Sequence, residues 1–237
     1  LSSTMRTTPE NHLLYWEYHK MRQKNVKILI VECSSQGLHQ GRLNSHSFDV
    51  SILTNLSRDH IDYHKNHENY VQSKLSLLQM TTKYIFINES LKTLKIRNNN
   101  AKKILYKPDS NMKYSKNPTV PEDLFVKFTN VLAQDRKKNI CKIISKLKSI
   151  QGRYHYVHGK KREIYLIDYA HTSSSFLDIC KYAKKIASSS LKNMKLLIIF
   201  GCGGDRDKEK RIIMASCAEK YADYLIITDD NPRSEDP

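Results

Sequence analysis

The sequence of 237 residues predicts an α/β protein built on parallel sheets. Short apolar runs alternate with stretches of helical periodicity, and this alternation is typical of parallel α/β sheets. Six of the seven glycines lie where the backbone must turn sharply or approach a ligand. Because ligands bind at the carboxyl ends of strands in open parallel sheets, the segments that follow the predicted strands are the candidates for a functional site.

The first half of the chain predicts a regular series of helices and strands. Residues 10–23 (ENHLLYWEYHKMRQ) place Leu13, Leu14 and Tyr18 at helical spacing, which predicts a helix. We expect a buried strand at 26–32 (VKILIVE), a second strand at 48–56 (FDVSILTNL), a helix at 66–80 and a short strand at 84–88 (YIFIN). From about residue 90 to 121 the pattern dissolves into Lys, Asn, Ser and Pro, which predicts an irregular segment.

In the second half of the chain, predicted strands and helices alternate again after a basic helix expected at 124–149. A new unit begins near Gln151, so the sequence predicts two domains, 1–150 and 151–237. Within the second domain, the patterns predict strands at 163–168 (EIYLID), 195–200 (KLLIIF) and 224–228 (YLIIT), and helices at 174–188 and 211–222. No internal repeat is visible.

Composition limits the class of protein. Five scattered cysteines without a CxxC pair argue against a disulfide framework or a structural zinc site and favour a reducing cytoplasm. Neither a bilayer-spanning apolar run nor a signal segment is visible, and the first residue, Leu1, suggests a piece of something longer. The net charge of +16 favours an anionic ligand over nucleic acid, because the basic residues are dispersed rather than clustered.

Polar side chains follow the first two predicted strands. In ECSSQGLHQGR (32–42), a carboxylate and two hydroxyls suit a hard cation or a polar ligand, although a helix cap or a Ser turn is the alternative. In TNLSRDHIDYH (54–64), Asp59 and His60 either ligate a metal or cap a turn. Lys74, in the next helix, is by residue type alone an ordinary solvated lysine.

Three further strand exits carry polar groups. In DYAHTSSS (168–175), an acid, a phenol and an imidazole could hold ribose and phosphate, or the segment caps the next helix through Thr172 or Ser173. The loop GCGGDRDKEKR (201–211) has three glycines in four residues, but it fits neither GxGxxG nor a P-loop. The run TDDNPR (228–233) follows the last predicted strand.

Taken in order, these segments resemble the Mur ligase family, and within it the MurE type. The matching runs are RTTPE, ECSSQGLHQGR, FDVSILTNLSRDHIDYH, ENYVQSK, QGRY, DYAHTS, FGCGGDRDKEKR and DDNPR, and they cover about two thirds of the chain. Agreement of several ordered motifs is far more specific than any one of them. The resemblance implies an incomplete parallel-sheet central domain over 1–150, followed by the first part of a Rossmann-like C-terminal domain over 151–237.

The resemblance also implies a reaction. MurE-type enzymes add the third amino acid to UDP-N-acetylmuramoyl-L-alanyl-D-glutamate in peptidoglycan biosynthesis. ATP phosphorylates the glutamyl carboxylate, the incoming amine attacks the acyl phosphate, and Mg²⁺ bridges phosphates and substrate. The form DNPR is typical of enzymes that use meso-diaminopimelate rather than lysine. A cytoplasmic, monomeric ligase without a nucleic-acid or membrane partner is therefore expected.

Residue roles follow from the same motif matches. Contacts to the muramoyl dipeptide are implied for Thr7, Thr8, Ser34, Gln40 and Arg42. Magnesium ligands are implied for Glu32, His60 and Lys74. Lys74 matches a lysine that the family carboxylates with carbon dioxide. His60 and Lys74 are therefore the catalytic candidates. Nucleotide contacts are implied for Arg153, Asp168 and His171. Amino-acid contacts are implied for Arg206, which would take a carboxylate, and for Asp230, Asn231 and Arg233.

Several departures from the family pattern qualify this interpretation. The sequence contains no G-x-x-G-K-[ST] phosphate loop, the stretch 80–150 is shorter than expected with no recognisable adenine segment near 128–130, and Ser173 stands where the family usually has proline. The uridine-binding domain and the end of the C-terminal domain are also without counterparts. We therefore expect a ligase fragment that does not turn over ATP alone. The alternatives are an inactive ligase-derived binding module and, disfavoured by the motif order, a basic nucleic-acid-binding protein.

Overall fold

The structure is a computed structural model, and it describes residues 6–97, 100–108, 122–132, 146, 150–161, 163–189 and 194–236. The chain divides into two compact units. The first consists of Leu1–Leu56 and Tyr63–Lys107, and the second of Ser57–Asp62 and Pro108–Pro237. The short segment Ser57–Asp62 therefore groups with the second unit, although the chain on both sides of it belongs to the first.

The first unit contains a parallel sheet with the strand order β1-β2-β3. Its elements are α1 (Asn11–Gln23), α2 (Ser35–His39), β1 (Phe48–Leu53), α3 (Ile61–His64, whose first two residues group with the second unit), α4 (His67–Gln79), β2 (Thr81–Asn88) and β3 (Lys102–Tyr106). Side chains from β1, α4 and β2 form the core, in which Leu53, Leu78 and Ile85 are almost fully buried. The predicted helix at 10–23 and the predicted strands at 48–56 and 84–88 are confirmed.

Two predictions for the first unit are wrong. The run 26–32 carries no strand, and Ile28 and Ile30 are 77% and 90% exposed. An apolar run predicts burial, but a strand also needs a neighbouring strand for its backbone groups, and β1 in the described sheet is bonded to β2 alone. Conversely, the segment 90–121 contains β3, which pairs in parallel with β2 from Lys102 to Tyr106. The Lys- and Asn-rich sequence around this strand concealed its short apolar run at 104–106.

In its described residues, the second unit contains two small sheets and two long helices. Its elements are α5 (Glu122–Leu132), β4 (His155–His158), β5 (Ile164–Ile167), α6 (Ser173–Ser189), β6 (Leu197–Phe200), α7 (Lys208–Tyr221) and β7 (Tyr224–Ile227). Strands β6 and β7 are parallel, as predicted, whereas β4, which was not predicted, pairs antiparallel with β5. The core lies between α6 and α7, where Phe176, Cys180, Met214 and Ala218 are buried.

The basic helix predicted at 124–149 is described only over its first part, as α5. Apart from Lys146, residues 133–149 lie outside the described residues. Within the part of the chain that the structure describes, no helix is both long and apolar enough to cross a membrane.

Candidate active site

Thr8 joins the start of the chain to the segment that leads into α2. Its hydroxyl donates to the carbonyl of Glu32 at 2.9 Å and accepts from the backbone N–H of Ser34 at 2.8 Å. The Thr8 side chain is fully buried, whereas Thr7 is exposed. A Cβ at Gly37 would lie 2.8 Å from the Cβ of Thr8, so the close approach requires glycine at this position. Thr8 therefore fixes the turn formed by residues 32–42 around α2, which we call the α2 turn. The neighbouring Thr7 is exposed, so a ligand can reach it.

Ser34, Gln40 and Arg42 surround the same turn. Ser34 caps α2 by accepting a hydrogen bond from Gly37 N–H at 3.1 Å. The buried Arg42 donates to the carbonyl of Thr8 at 2.8 Å and to the side-chain oxygen of Gln40. The exposed Gln40 side chain in turn donates to the hydroxyl of Tyr63 at 3.0 Å. The structure thus brings together all five residues predicted to contact the muramoyl dipeptide.

Lys74 points from α4 towards the segment before α2. Its Nζ donates to the carbonyl of Cys33 at 3.2 Å, and the exposed Glu32 is the preceding residue. Burial raises the pKa of the Cys33 thiol to about 11, even though the positive charge of Lys74 acts in the opposite direction. Cys33 is therefore a protonated structural thiol, and the polar chemistry at this place belongs to Glu32 and Lys74.

His60 lies in the segment Ser57–Asp62, which groups with the second unit. Its Nε2 is 3.4 Å from a carboxylate oxygen of Asp59, and that oxygen is also 3.7 Å from Nε2 of His171. Burial raises the pKa of Asp59, but the nearby imidazole of His171 and the charge of His60 outweigh burial and leave that pKa lowered. The neighbouring carboxylate of Asp59 in turn raises the pKa of His171. Across the described residues, no group of three His, Cys, Asp or Glu side chains that could hold a metal is found.

The other predicted nucleotide contacts, Asp168 and Arg153, lie at or against the segment that follows β5 and contains His171. Asp168, directly after β5, accepts a hydrogen bond from the backbone N–H of Tyr154 at 2.8 Å. The guanidinium of Arg153 stacks 4.8 Å above the ring of Tyr169, and the carbonyl of Tyr169 lies 3.2 Å from Nδ1 of His171. A carboxylate, a guanidinium and an imidazole are thereby held on one strand exit, a set that can bind ribose hydroxyls and phosphate oxygens.

The glycine loop 201–211 packs against the strand-exit run that follows β7. A Cβ on Gly204 would lie 1.7 Å from the carbonyl oxygen of Pro232, and one on Gly201 would lie 2.5 Å from that of Thr228. Gly204 N–H also donates to the carbonyl of Asn231 at 3.1 Å. These glycines are needed because a backbone comes too close for any side chain. The two segments predicted to recognise the amino acid therefore form a single structure.

Within this structure the two candidate arginines have different surroundings. Arg206 donates to the carboxylate of Asp62 at 2.7 Å, so it already binds a carboxylate of the chain itself. Arg233 is exposed and has a positive φ of 59°. Asp230 and Asn231 are also exposed, and Asn231 has a φ of 49°.

Sequence reasoning missed the residues that fix this loop. Glu235 accepts two hydrogen bonds from Arg211, and Asp205 accepts two from Ser234. The paired residues lie far apart in the chain, so local sequence patterns do not indicate that they interact. The one sequence feature that points to ion pairs here is the alternation of acidic and basic residues immediately after the glycines.

Comparison with known proteins identifies relatives over the whole chain. The family model of the Mur ligase middle domain matches residues 1–155, and that of the Mur ligase, glutamate ligase domain matches residues 152–237. A UDP-N-acetylmuramoyl-L-alanyl-D-glutamate--2,6-diaminopimelate ligase of Bacillus cereus is 34% identical, covering 98% of this chain and 54% of the relative. The protein of that name from Caldanaerobacter subterraneus is 32% identical, over 99% of this chain and 54% of the relative.

A solved structure of a UDP-N-acetylmuramoyl-L-alanyl-D-glutamate--2,6-diaminopimelate ligase superposes with a TM-score of 0.61 at 27% identity. It covers 100% of this chain, which in turn covers 55% of that protein. The chain spans about half the length of the curated relatives that it matches.

Proposed function

This chain belongs to the Mur ligase family, and we propose that it acts in the ATP-dependent joining of meso-diaminopimelate to UDP-N-acetylmuramoyl-L-alanyl-D-glutamate. The observation that carries this proposal is the close packing of the glycine loop 201–211 on the run DDNPR. The printed names of the relatives support the choice of 2,6-diaminopimelate. Such a ligase works on a cytoplasmic precursor of peptidoglycan, so we also propose a cytoplasmic location.

The muramoyl dipeptide is proposed to bind at the α2 turn. Thr7 and Gln40 are exposed there and offer a hydroxyl and an amide to a polar ligand. Thr8, Ser34 and Arg42 each form hydrogen bonds within the turn. Their contribution is to fix the geometry of the exposed groups, because a ligand binds more tightly to groups that are already ordered.

Magnesium is proposed to bind Glu32, His60 and a carboxylated Lys74. The position of Lys74 supports this, since its Nζ lies 3.2 Å from the carbonyl next to Glu32. Carboxylation would replace a cation by a carboxylate beside an existing one, and hard oxygen ligands suit Mg²⁺. The assignment of His60 rests on its family motif. When bound, the metal supplies charge neutralisation for phosphate and carboxylate oxygens.

ATP is proposed to contact Arg153, Asp168 and His171. Only one carboxylate oxygen of Asp168 is used by Tyr154, so the other can accept from a ribose hydroxyl. Arg153 presents a guanidinium and His171 an imidazole with a raised pKa, and positive charge at both favours phosphate. These residues position the nucleotide and neutralise charge, which are the main requirements of phosphoryl transfer.

The amino acid is proposed to bind at the glycine loop and the DDNPR run. Arg206 and Arg233 would each take a carboxylate, since the planar guanidinium matches that group. Asp230 and Asn231 would hold an ammonium group through their oxygens. Arg206 already binds the carboxylate of Asp62, which supports its capacity for this kind of ligand.

Binding and ligation measured separately test the proposal. Calorimetry on the full chain is expected to detect the muramoyl dipeptide and to detect meso-diaminopimelate in preference to L-lysine. Mass spectrometry with ATP and Mg²⁺ then measures the amide product. Absence of binding by both ligands would contradict the proposal. Binding without product is the result expected of a ligase fragment that does not turn over ATP alone, and it is also the result expected of a ligase-derived binding module, whereas product would exclude the binding module.

A further inference from the structure

Four side chains outside the proposed ligand contacts connect the glycine loop to the run that follows β7. We call Asp205, Arg211, Ser234 and Glu235 the loop brace. Arg211 donates to the two carboxylate oxygens of Glu235 at 2.6 and 2.8 Å, a bidentate pair. Glu235 also accepts from the backbone N–H of Asp205 at 2.8 Å. The carboxylate of Asp205 accepts from the hydroxyl of Ser234 at 2.6 Å and from its N–H at 3.3 Å.

The loop brace acts on the residues next to the proposed ligand contacts. Asp205 precedes Arg206, and Ser234 follows Arg233. Arg211 lies in the first turns of α7, which is packed into the core through Met214, so the brace is anchored to a rigid element. Its guanidinium also lies 3.4 Å from the carbonyl of Gly203. Both sides of the proposed site are thereby connected to one helix.

The backbone at this place needs such support. Asp205, Asn231 and Arg233 have φ values of 53°, 49° and 59°, a conformation that residues other than glycine adopt at a cost in free energy. Surrounding contacts must maintain these angles. A recognition arginine that is ordered before its ligand arrives loses less conformational entropy on binding.

We infer that the loop brace is a positioning device for amino-acid recognition, in which Arg211 and Glu235 hold Arg206 and Arg233 in the geometry that binds the ligand carboxylates. The inference rests on the proposed function. Hydrogen bonds from Arg211 keep the carboxyl of Glu235 ionised, with a pKa of about 2, so the ion pair persists at neutral pH. Neither brace residue needs to touch the ligand for this role.

The test compares the dissociation constants of meso-diaminopimelate and L-lysine in Arg211→Gln, Glu235→Gln and the double variant, using the full chain. We expect each single variant to lower the preference for diaminopimelate about three- to tenfold, and the double variant to lose little more, because either change breaks the same brace. Arg211→Lys, which keeps the charge but not the bidentate geometry, should recover part of the preference.

Lys184→Gln is the matched control, because it removes an ion pair of 3.2 Å with Asp223 elsewhere in the same unit. The ratio of the two constants is measured on one preparation, so a smaller folded fraction does not change it. An unchanged ratio in both single variants, or an equal loss in Lys184→Gln, would overturn the inference while leaving the proposed function intact. A parent protein that binds neither amino acid would overturn both.

Discussion

At the scale of single residues, Thr7 and Thr8 separate a ligand contact from a structural one. Thr8→Val removes a buried hydroxyl and leaves the carbonyl of Glu32 and the N–H of Ser34 without that partner, so we expect a loss of about 1–3 kcal/mol in unfolding free energy. Thr7→Val, at an exposed position, should change stability by less than about 0.5 kcal/mol. Urea unfolding measures both. Equal losses in the two variants would contradict the assignment.

Lys74 carries a second prediction at this scale. With ¹³C-bicarbonate, NMR should detect a lysine carbamate in the folded chain, because Lys74 lies half-buried against the Cys33 carbonyl beside Glu32. The signal should disappear in Lys74→Ala and persist in Lys83→Ala, whose exposed side chain pairs with Asp49 at 2.8 Å. A carbamate that survives Lys74→Ala would show that another lysine is modified.

Arg233 is the residue expected to select the amino acid. Diaminopimelate differs from lysine by a second amino-carboxylate centre, so discrimination needs a cation aimed at the distant carboxylate. A bidentate contact of this type contributes about 1.5–3 kcal/mol, which corresponds to a preference of about tenfold to a hundredfold. Arg233→Ala should abolish that preference in a binding titration. A preference that remains intact would assign selection to another residue.

At the scale of elements, we expect alanine substitutions at the adjacent glycines Gly203 and Gly204 to have very different effects on stability. Gly204→Ala would place a Cβ 1.7 Å from the Pro232 carbonyl oxygen, so the loop or the DDNPR run must move. We expect a loss of about 1–3 kcal/mol in unfolding free energy, as for overpacking in a core, together with weaker amino-acid binding. In Gly203→Ala, the nearest atom would lie 3.7 Å away, so thermal unfolding should hardly change. A destabilised Gly203→Ala with an unaffected Gly204→Ala would contradict this packing.

The elements also show where sequence reasoning succeeds. Helices α4 and α6 were predictable, because the pattern of their own residues determines which face is buried. Strands depend on neighbours, and sequence reasoning therefore failed in both directions. The apolar run at 26–32 forms no strand, while β3 forms in a lysine-rich segment because β2 offers it hydrogen-bond partners.

At the scale of the whole molecule, the ordered motifs predicted the family, but not the contacts that hold the site. The positions of Lys74, Arg206 and Arg233 were named from the sequence. Neither the Asp62 carboxylate at Arg206 nor the pair of Arg211 and Glu235 was predicted, since both join residues far apart in the chain. Local sequence patterns contain no information about such pairs. A family motif identifies residues that the fold brings into a site, but it does not identify the contacts that hold those residues there.

Because the chain has a net charge of +16, the carboxylates that stay ionised as the pH falls are important for stability in acid. Glu235 and Asp223 both have lowered pKa values, the first chiefly through hydrogen bonds from Arg211 and the second chiefly through the backbone N–H of Leu196. A carboxyl whose pKa is lower in the folded state stabilises that state above its unfolded pKa, and this contribution is lost as pH falls towards the folded value. For Glu235 the window runs from the ordinary glutamate pKa of 4.5 down to about 2.

Glu235→Gln therefore isolates one contribution to acid stability. We expect the parent to be more stable than the variant at pH 7, and the difference to shrink steadily between pH 4.5 and about pH 2. Urea unfolding across this range measures the difference, and Glu219→Gln, an exposed position on the same helix as Arg211, serves as the control. A difference for Glu235→Gln that does not change with pH would mean that the carboxylate charge does not stabilise this loop.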